Sequence, residues 1–265
     1  MIDSLALLPM YDWPEIGDAT NEYWKALRDA LADHGFTPPQ YLTRPDDPLP
    51  LWRSPELLLA QTCGLPYAEL LSTVVSLVGT PAYDIDCGAG SYFSVIVVHK
   101  DSNIETLADL EGATFGYNDP LSQSGVAAFF FHLYMADISE TKIGKTERVM
   151  SHRNAILQLS RRRIDIASID AVTWELAMRH EEAASNLRII AQTSPTPGLP
   201  YITSQRGKSE VDRIHRAVVE AIASLPNSTR DAQLLTGFAA TEKADYQIIR
   251  NRFNLVHDKM DTHLH

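Results

Sequence analysis

The chain has 265 residues, 45% of them hydrophobic and 22% charged, a globular balance that excludes disorder and allows one large domain or two of ordinary size. Its formal charge of −11 excludes a general nucleic-acid binder, which needs a basic face, so an anionic ligand must be met by local donors. No apolar run approaches the ~20 residues that span a bilayer, and two cysteines, Cys63 and Cys87, are too few for a disulfide scaffold or a Cys-based metal site.

Met1 to Asp3 lead directly into Ser4–Pro9, with no basic stretch and no small-residue cleavage site. The expectation is a periplasmic protein if the chain is a mature form, and a cytoplasmic one otherwise. Leu5 to Leu8 reads as a buried strand. Tyr23, Trp24, Leu27 and Leu31 then recur at helical spacing, with Thr20 as N-cap and Gly35 as C-cap. Thr37 to Pro55 holds six prolines and reads as a surface loop. Leu57 to Gln61 is a second apolar strand, followed by Thr62-Cys63-Gly64 and a predicted helix carrying Tyr67, Leu70, Leu71, Val74, Val75 and Val78. One Cys63–Cys87 disulfide is conceivable, but two small buried thiols are the expectation.

From Ser94 the strand–helix rhythm restarts. Ser94 to His99 is an apolar strand, Ile104 to Leu110 a short helix closed by Gly112, and Ala113 to Tyr117 another strand. A helix opening at Ser124 or Gly125 directs Val126, Phe129, Phe130 and Leu133 inward. Ser151 caps a helix with Ile156 and Leu159, Ile164 to Ile169 alternates as a strand, and Asp170 caps a helix with Val172, Leu176 and Ala177. Leu187 to Gln192 is a further strand. After the Pro/Gly-rich stretch 193–200, Val211, Ile214, His215, Val218, Val219 and Ile222 mark a strong amphipathic helix, with Ser209 and Asp212 as a capping box. The end of the chain reads as helical.

Short strands joined by helices imply parallel pairing through crossovers. The expected architecture is therefore α/β, with two Rossmann-like lobes of parallel-type mixed sheets joined by two crossings: 1–88 with 193–265, and 89–192.

In such sheets ligands gather beyond the carboxyl ends of strands. The best candidate loop is Asn118-Asp119-Pro120-Leu121-Ser122-Gln123-Ser124-Gly125, which precedes a helix. Its hydroxyls and the first helical N–H groups suit an anion, and Gly125 permits close approach. Simple N-capping by Ser122 or Ser124 is the competing reading. There is no Walker A ending and no GxGxxG after a strand, so nucleotide binding gains no support. In the first lobe, Tyr11 and Trp13 can wall an apolar part of a ligand while Gln61 and Thr62 offer neutral hydrogen bonds; Trp13 can equally be a packed anchor. Tyr83 and Tyr92 can line a hinge cleft or pack against it. His257, His263 and His265 read as a frayed tail rather than a metal site, and Arg161 to Arg163 as a solvated helix end.

Leu107-Ala108-Asp109-Leu110-Glu111-Gly112, the Asn118-Asp119-Pro120 turn with Ser122-Gln123-Ser124-Gly125, the pair Ser151-His152 and Arg163-Ile164-Asp165-Ile166-Ala167 together resemble the phosphonate-type substrate-binding proteins of ABC importers. The resemblance implies a type II periplasmic-binding-protein fold, whose two lobes close on an oxyanion headgroup. It implies that Ser122, Ser124, Gly125 and His152 touch the anion and that Asp170 helps accept protons or amines. It further implies no catalysis, no cofactor or metal, an ABC permease as partner, and a monomer. Two departures stand out: Gln123 replaces the second residue of the usual Ser-Thr-Ser-Gly, and the loops at Met10–Trp13 and Gln61–Gly64 are not those of phosphonate binders. A cytoplasmic enzyme or ligand sensor on the same fold, acting on a small carboxylate, is the alternative, with Cys63, His152, Asp12 and Asp170 as its raw material.

Overall fold

The computed structural model describes residues 4–264. Two compact units emerge: one runs to Ser91 and resumes from Pro197 to Gln247, and the other takes Tyr92–Thr196 and the segment from Ile248 onward. The chain passes between them at Ser91/Tyr92 and Thr196/Pro197, through the short strands β4 (Ser91–Tyr92) and β10 (Thr196–Pro197), and a third time at Gln247/Ile248.

The first unit is built on β1 (Leu5–Leu7), β2 (Leu57–Gln61), β3 (Val75–Tyr83), β11 (Tyr201–Ser204) and β12 (Leu235–Ala239), in the order β1-β2-β11-β3-β12. β1 and β2 are parallel, whereas β11 runs antiparallel to both β2 and β3, and β12 antiparallel to β3. Helices α1 (Gly17–Asp33) and α7 (Lys208–Ser224) pack on this sheet through Leu27, Leu31, Ile214 and Val218. α1 starts three residues before Thr20, whose hydroxyl donates to the Ile16 carbonyl from inside the helix rather than capping it. Its other end is a Schellman turn: Gly35 adopts φ +82°, its N–H reaches the Ala32 carbonyl and the Phe36 N–H the Leu31 carbonyl. α7 has Gly207 at its N-cap without a side-chain bond, so the expected Ser209/Asp212 box does not form.

Three further expectations change here. The predicted helix through Val78 is instead a turn of α3 (Gly64–Pro66) and a π turn (Tyr67–Leu71), after which Val75 and Val78 lie in β3. β-branched Val74, Val75 and Val78 fit helical spacing by chance, and their stiff side chains favour the extended chain. The proline-rich segment is not all surface: it forms α2 (Leu49–Trp52), buries Leu42 and Trp52, and sends the Trp52 indole N–H to the Gln61 carbonyl. Cys63 and Cys87 are not bonded to each other, and both are partly exposed rather than buried. A short helix, α8 (Asn227–Ala232), leads into β12.

The second unit holds β5 (Ser94–His99), β6 (Ala113–Tyr117), β7 (Ile143–Arg148), β8 (Ile166–Asp170) and β9 (Leu187–Gln192), ordered β7-β6-β8-β5-β9. β6 is parallel to β7 and β8, while β5 is antiparallel to β8 and β9. The carboxyl ends of β6, β7 and β8 and the amino end of β5 therefore share one edge of the sheet. Helices α4 (Ala128–Met135), α5 (His152–Ser160) and α6 (Ala171–His180) follow β6, β7 and β8 in turn. Phe115 of β6 stacks on Phe129 at 4.2 Å and meets Phe130 edge-on, which anchors α4.

The terminal segment, expected in the first lobe with a frayed tail, belongs to the second unit. It forms α9 (Gln247–Asn254) and α10 (His257–His263), and buries Val256 and Met260. Thr146 donates to the His263 carbonyl and Lys259 pairs with Glu140. His265 lies outside the described residues.

Candidate functional site

The edge where β6, β7 and β8 end is assembled by hydroxyl groups. After Tyr117 the chain turns at Asp119, whose Oδ1 accepts the Leu121 N–H at 2.9 Å and whose Oδ2 accepts from Arg148 at 2.7 Å. Ser122 is the N-cap: its Oγ accepts the Gly125 N–H at 3.0 Å. The helix opens as a π turn, Gln123–Ala127, continuous with α4. π turns widen a helix by one residue and recur at ligand sites. The Ser124 carbonyl accepts from Ser94 Oγ of β5 and Ser168 Oγ of β8, at 3.0 and 2.6 Å, which stitches the turn to two neighbouring strands.

Ser124 Oγ lies 2.8 Å from His152 Nε2. His152 is delivered by a tight passage from β7 to α5. Met150 adopts φ +70°, a left-handed conformation that costs a non-glycine residue energy, and Ser151 Oγ caps α5 through the Asn154 N–H. Loss of hydration pushes the imidazole down to about 4, only partly offset by a hydrogen bond to the Ser168 carbonyl. The ring is thus neutral at pH 7. With its one N–H given to that carbonyl, Nε2 accepts from the Ser124 hydroxyl. A serine and a neutral imidazole at this distance have the form of a nucleophile and base, yet a histidine held near 4 is a weak base.

Gly125 answers a steric demand. A Cβ there would stand 1.9 Å from Asn118 Oδ1 and 3.1 Å from His152 Cε1, so only glycine lets this carboxamide close over the helix start. Gln123 and Ser124 are 2% and 4% exposed, and Asn118 Oδ1 and Gln123 Oε1 are buried without a hydrogen-bond partner. Such orphans are costly in a finished structure.

The structure therefore brings Ser122, Gln123, Ser124, Gly125 and His152 into one cluster. Asp170 sits at the same edge, opposite Ser94 in the ladder, and its Oδ1 caps α6 through the Thr173 N–H at 2.8 Å. Ser94 and Ser168, which hold the cluster, escaped sequence reasoning; the available signal was a lone hydroxyl inside an otherwise apolar strand.

In the first unit, Tyr11, Gln61 and Tyr83 meet. Gln61 Nε2 donates to Tyr83 OH at 3.0 Å, and the rings of Tyr11 and Tyr83 pack edge-on at 5.1 Å. With Asp12, Tyr23, Tyr201 and Gln233 they line a cavity of about 10 Å³, the size of one water. Asp12 is paired with Arg44 at 2.5 Å. Trp13 is buried and opens a 3-10 turn, as an anchor would. Thr62 is fully buried, its N–H bound to the Pro200 carbonyl and its hydroxyl to the Cys63 carbonyl. Tyr92 is buried in the second unit.

A sequence model described as "ABC transporter, phosphonate, periplasmic substrate-binding protein" matches residues 18–246. The chain belongs to that family. A phosphonates-binding periplasmic protein of Escherichia coli is 29% identical over 121 residues, a stretch that is 43% of this chain and 36% of that protein. Among solved structures, a binding protein component of an ABC phosphonate transporter from Pseudomonas aeruginosa has a TM-score of 0.75 at 18% identity, covering 98% of this chain and 88% of its own. A Prochlorococcus marinus protein in complex with methylphosphonate scores 0.74 at 17% identity, covering 96% and 98%. At these identities the two structures speak for the fold, a periplasmic-binding-protein fold of mixed α/β units.

Proposed function

We propose that this chain is the solute-receiving component of an ABC-type importer, holding a small oxyanion at the helix start formed by Ser122, Gln123, Ser124 and Gly125. The observation that carries this reading is the part-buried Ser124–His152 pair at a π-opened helix N-terminus, in a chain of the phosphonate-binding family. The N–H groups of Gln123 and Ser124 precede any helical acceptor, and the positive end of the helix dipole favours an anion there. His152 adds a neutral partner that exchanges its bond with Ser124 for one to the ligand.

Binding rather than turnover is the proposed role. Asp12 is committed to Arg44 and Asp170 to the cap of α6, and the imidazole of His152 is a poor base at pH 7. The proposed partner is an ABC permease and the proposed compartment the periplasm, both in keeping with the family; the proposed working form is a monomer. In the first unit, Tyr11, Gln61 and Tyr83 are proposed as ligand contacts, while Trp13 and Thr62 are proposed to act only by supporting them. A thermal-shift screen of small phosphonates, sulfonates and carboxylates tests the reading. At a hundred times Kd a bound anion should add about 2.7 kcal/mol of stability. If no anion shifts the transition, the reading fails.

A further inference from the structure

The helix start in the second unit is short of positive charge and rich in acceptors. His152 is neutral, and Arg148, the cation at the turn, is answered by Asp119 at 2.7 Å. On the adjoining strand the Asp170 side chain accepts the Thr173 N–H, while Ser94 and Ser168 spend their hydroxyl protons on the Ser124 carbonyl. Beyond His152 in α5, Arg153 is paired with Glu181. No side-chain cation among these groups is left to balance a second negative charge, and the helix end supplies only about half an elementary charge.

Two carboxamide oxygens, on the residue before the turn and on the first residue of the helix, have no hydrogen-bond donor to accept from. Asn118 Oδ1 lies against Gly125, and Gln123 Oε1 belongs to the first residue of the helix, itself 2% exposed. A fully deprotonated oxyanion cannot satisfy either, because it carries acceptors only. A singly charged oxyanion that keeps one O–H can, giving its negative oxygens to the helix N–H groups and its proton to a carboxamide. Leaving such an acceptor buried and unmet is the penalty that lets a site reject an otherwise equal ligand.

We infer that the site selects the protonated monoanion of a tetrahedral acid, such as a hydrogen phosphonate, with the Gln123 carboxamide as the acceptor of its one proton. This deepens the proposed function and rests on it. Gln123 then acts as a specificity-determining residue, separating monoprotonated phosphonates from dianions and from monoanions that have no proton to give.

The test is calorimetric titration of the full chain with methylphosphonate from pH 6 to 9, with methanesulfonate as a monoanion of the same shape that lacks an O–H. Methylphosphonate should weaken about tenfold for each pH unit above its second ionisation, as its competent fraction falls. Methanesulfonate should bind about tenfold or more weakly at pH 6 and show no such slope. In Gln123→Met, which keeps the volume and removes the acceptor, the gap between the two ligands should close. Affinity for methylphosphonate that is flat or rises through its second ionisation overturns the inference while leaving anion binding intact, and means that the carboxamides present their amino groups instead. Methylphosphonate bound at no pH, while another anion shifts the thermal transition, overturns the inference alone; no anion bound at all overturns the function on which it rests.

Discussion

Substituting Gly125 by alanine would force a methyl group to within 1.9 Å of Asn118 Oδ1. The carboxamide or the helix start must move, at a cost of about 1–3 kcal/mol, the usual range for overpacking a tight site. Gly125→Ala should therefore lower the denaturation midpoint and weaken oxyanion binding together; an unchanged midpoint would show that Asn118 does not close over the turn. His152 supplies a second prediction. Its pKa is 6.5 when unfolded and about 4 when folded, so the unfolded chain binds the proton more readily. The contribution of the neutral ring is complete above pH 6.5 and is lost as the pH falls toward 4. Linkage sets its ceiling at about 3 kcal/mol, reduced because the residue keeps some solvent contact. Urea denaturation at pH 7 and pH 4.5 should show this loss, and His152→Gln should flatten it. At this scale the capped helix start at Ser122–Gly125 was legible because Ser, Gly and a helix start announce themselves in sequence. The Ser124–His152 bond was not, since the two residues meet only through the pairing of β6 with β7.

Among the elements, those with a strong local signal were readable: β2, β6 and β9 have the predicted bounds, and α7 buries Ile214, Val218 and Ile222 of the predicted stripe while leaving Val219 exposed. The losses share a physical cause. β11 is four residues long and buried throughout, so it shows no alternation, and β12, Leu-Thr-Gly-Phe-Ala, buries only its first residue. β7, Ile-Gly-Lys-Thr-Glu-Arg, is an edge strand whose pairing with β6 overrides a polar composition. Two predictions belong here. Gly35→Ala places a Cβ at φ +82° in the Schellman turn and should cost about 1 kcal/mol, measurable as a shift in the chemical midpoint. Removing residues 255–265 uncovers the sites filled by Val256 and Met260 and should cost about 3 kcal/mol or more, with hydrogen exchange accelerating first in β7 and α4. Unchanged exchange there would mean that α10 is not an integral part of the second unit.

At the scale of the whole molecule, the sequence indicated two α/β units and the return of the chain to the first. It did not indicate the third passage at Gln247/Ile248, because two amphipathic helices look alike whichever unit they cover. The family match over residues 18–246 places the chain among proteins described as periplasmic substrate-binding components, and the helix start at Ser122–Gly125 is the proposed site. The most direct test is calorimetry with methylphosphonate at pH 6 on the wild type and on Ser124→Asp, which sets a carboxylate against the anion while circular dichroism verifies the fold. The account predicts saturable one-to-one binding to the wild type and a loss of about a hundredfold or more in the variant, the scale of a like charge set against a bound ion. Equal binding by a correctly folded Ser124→Asp would contradict it.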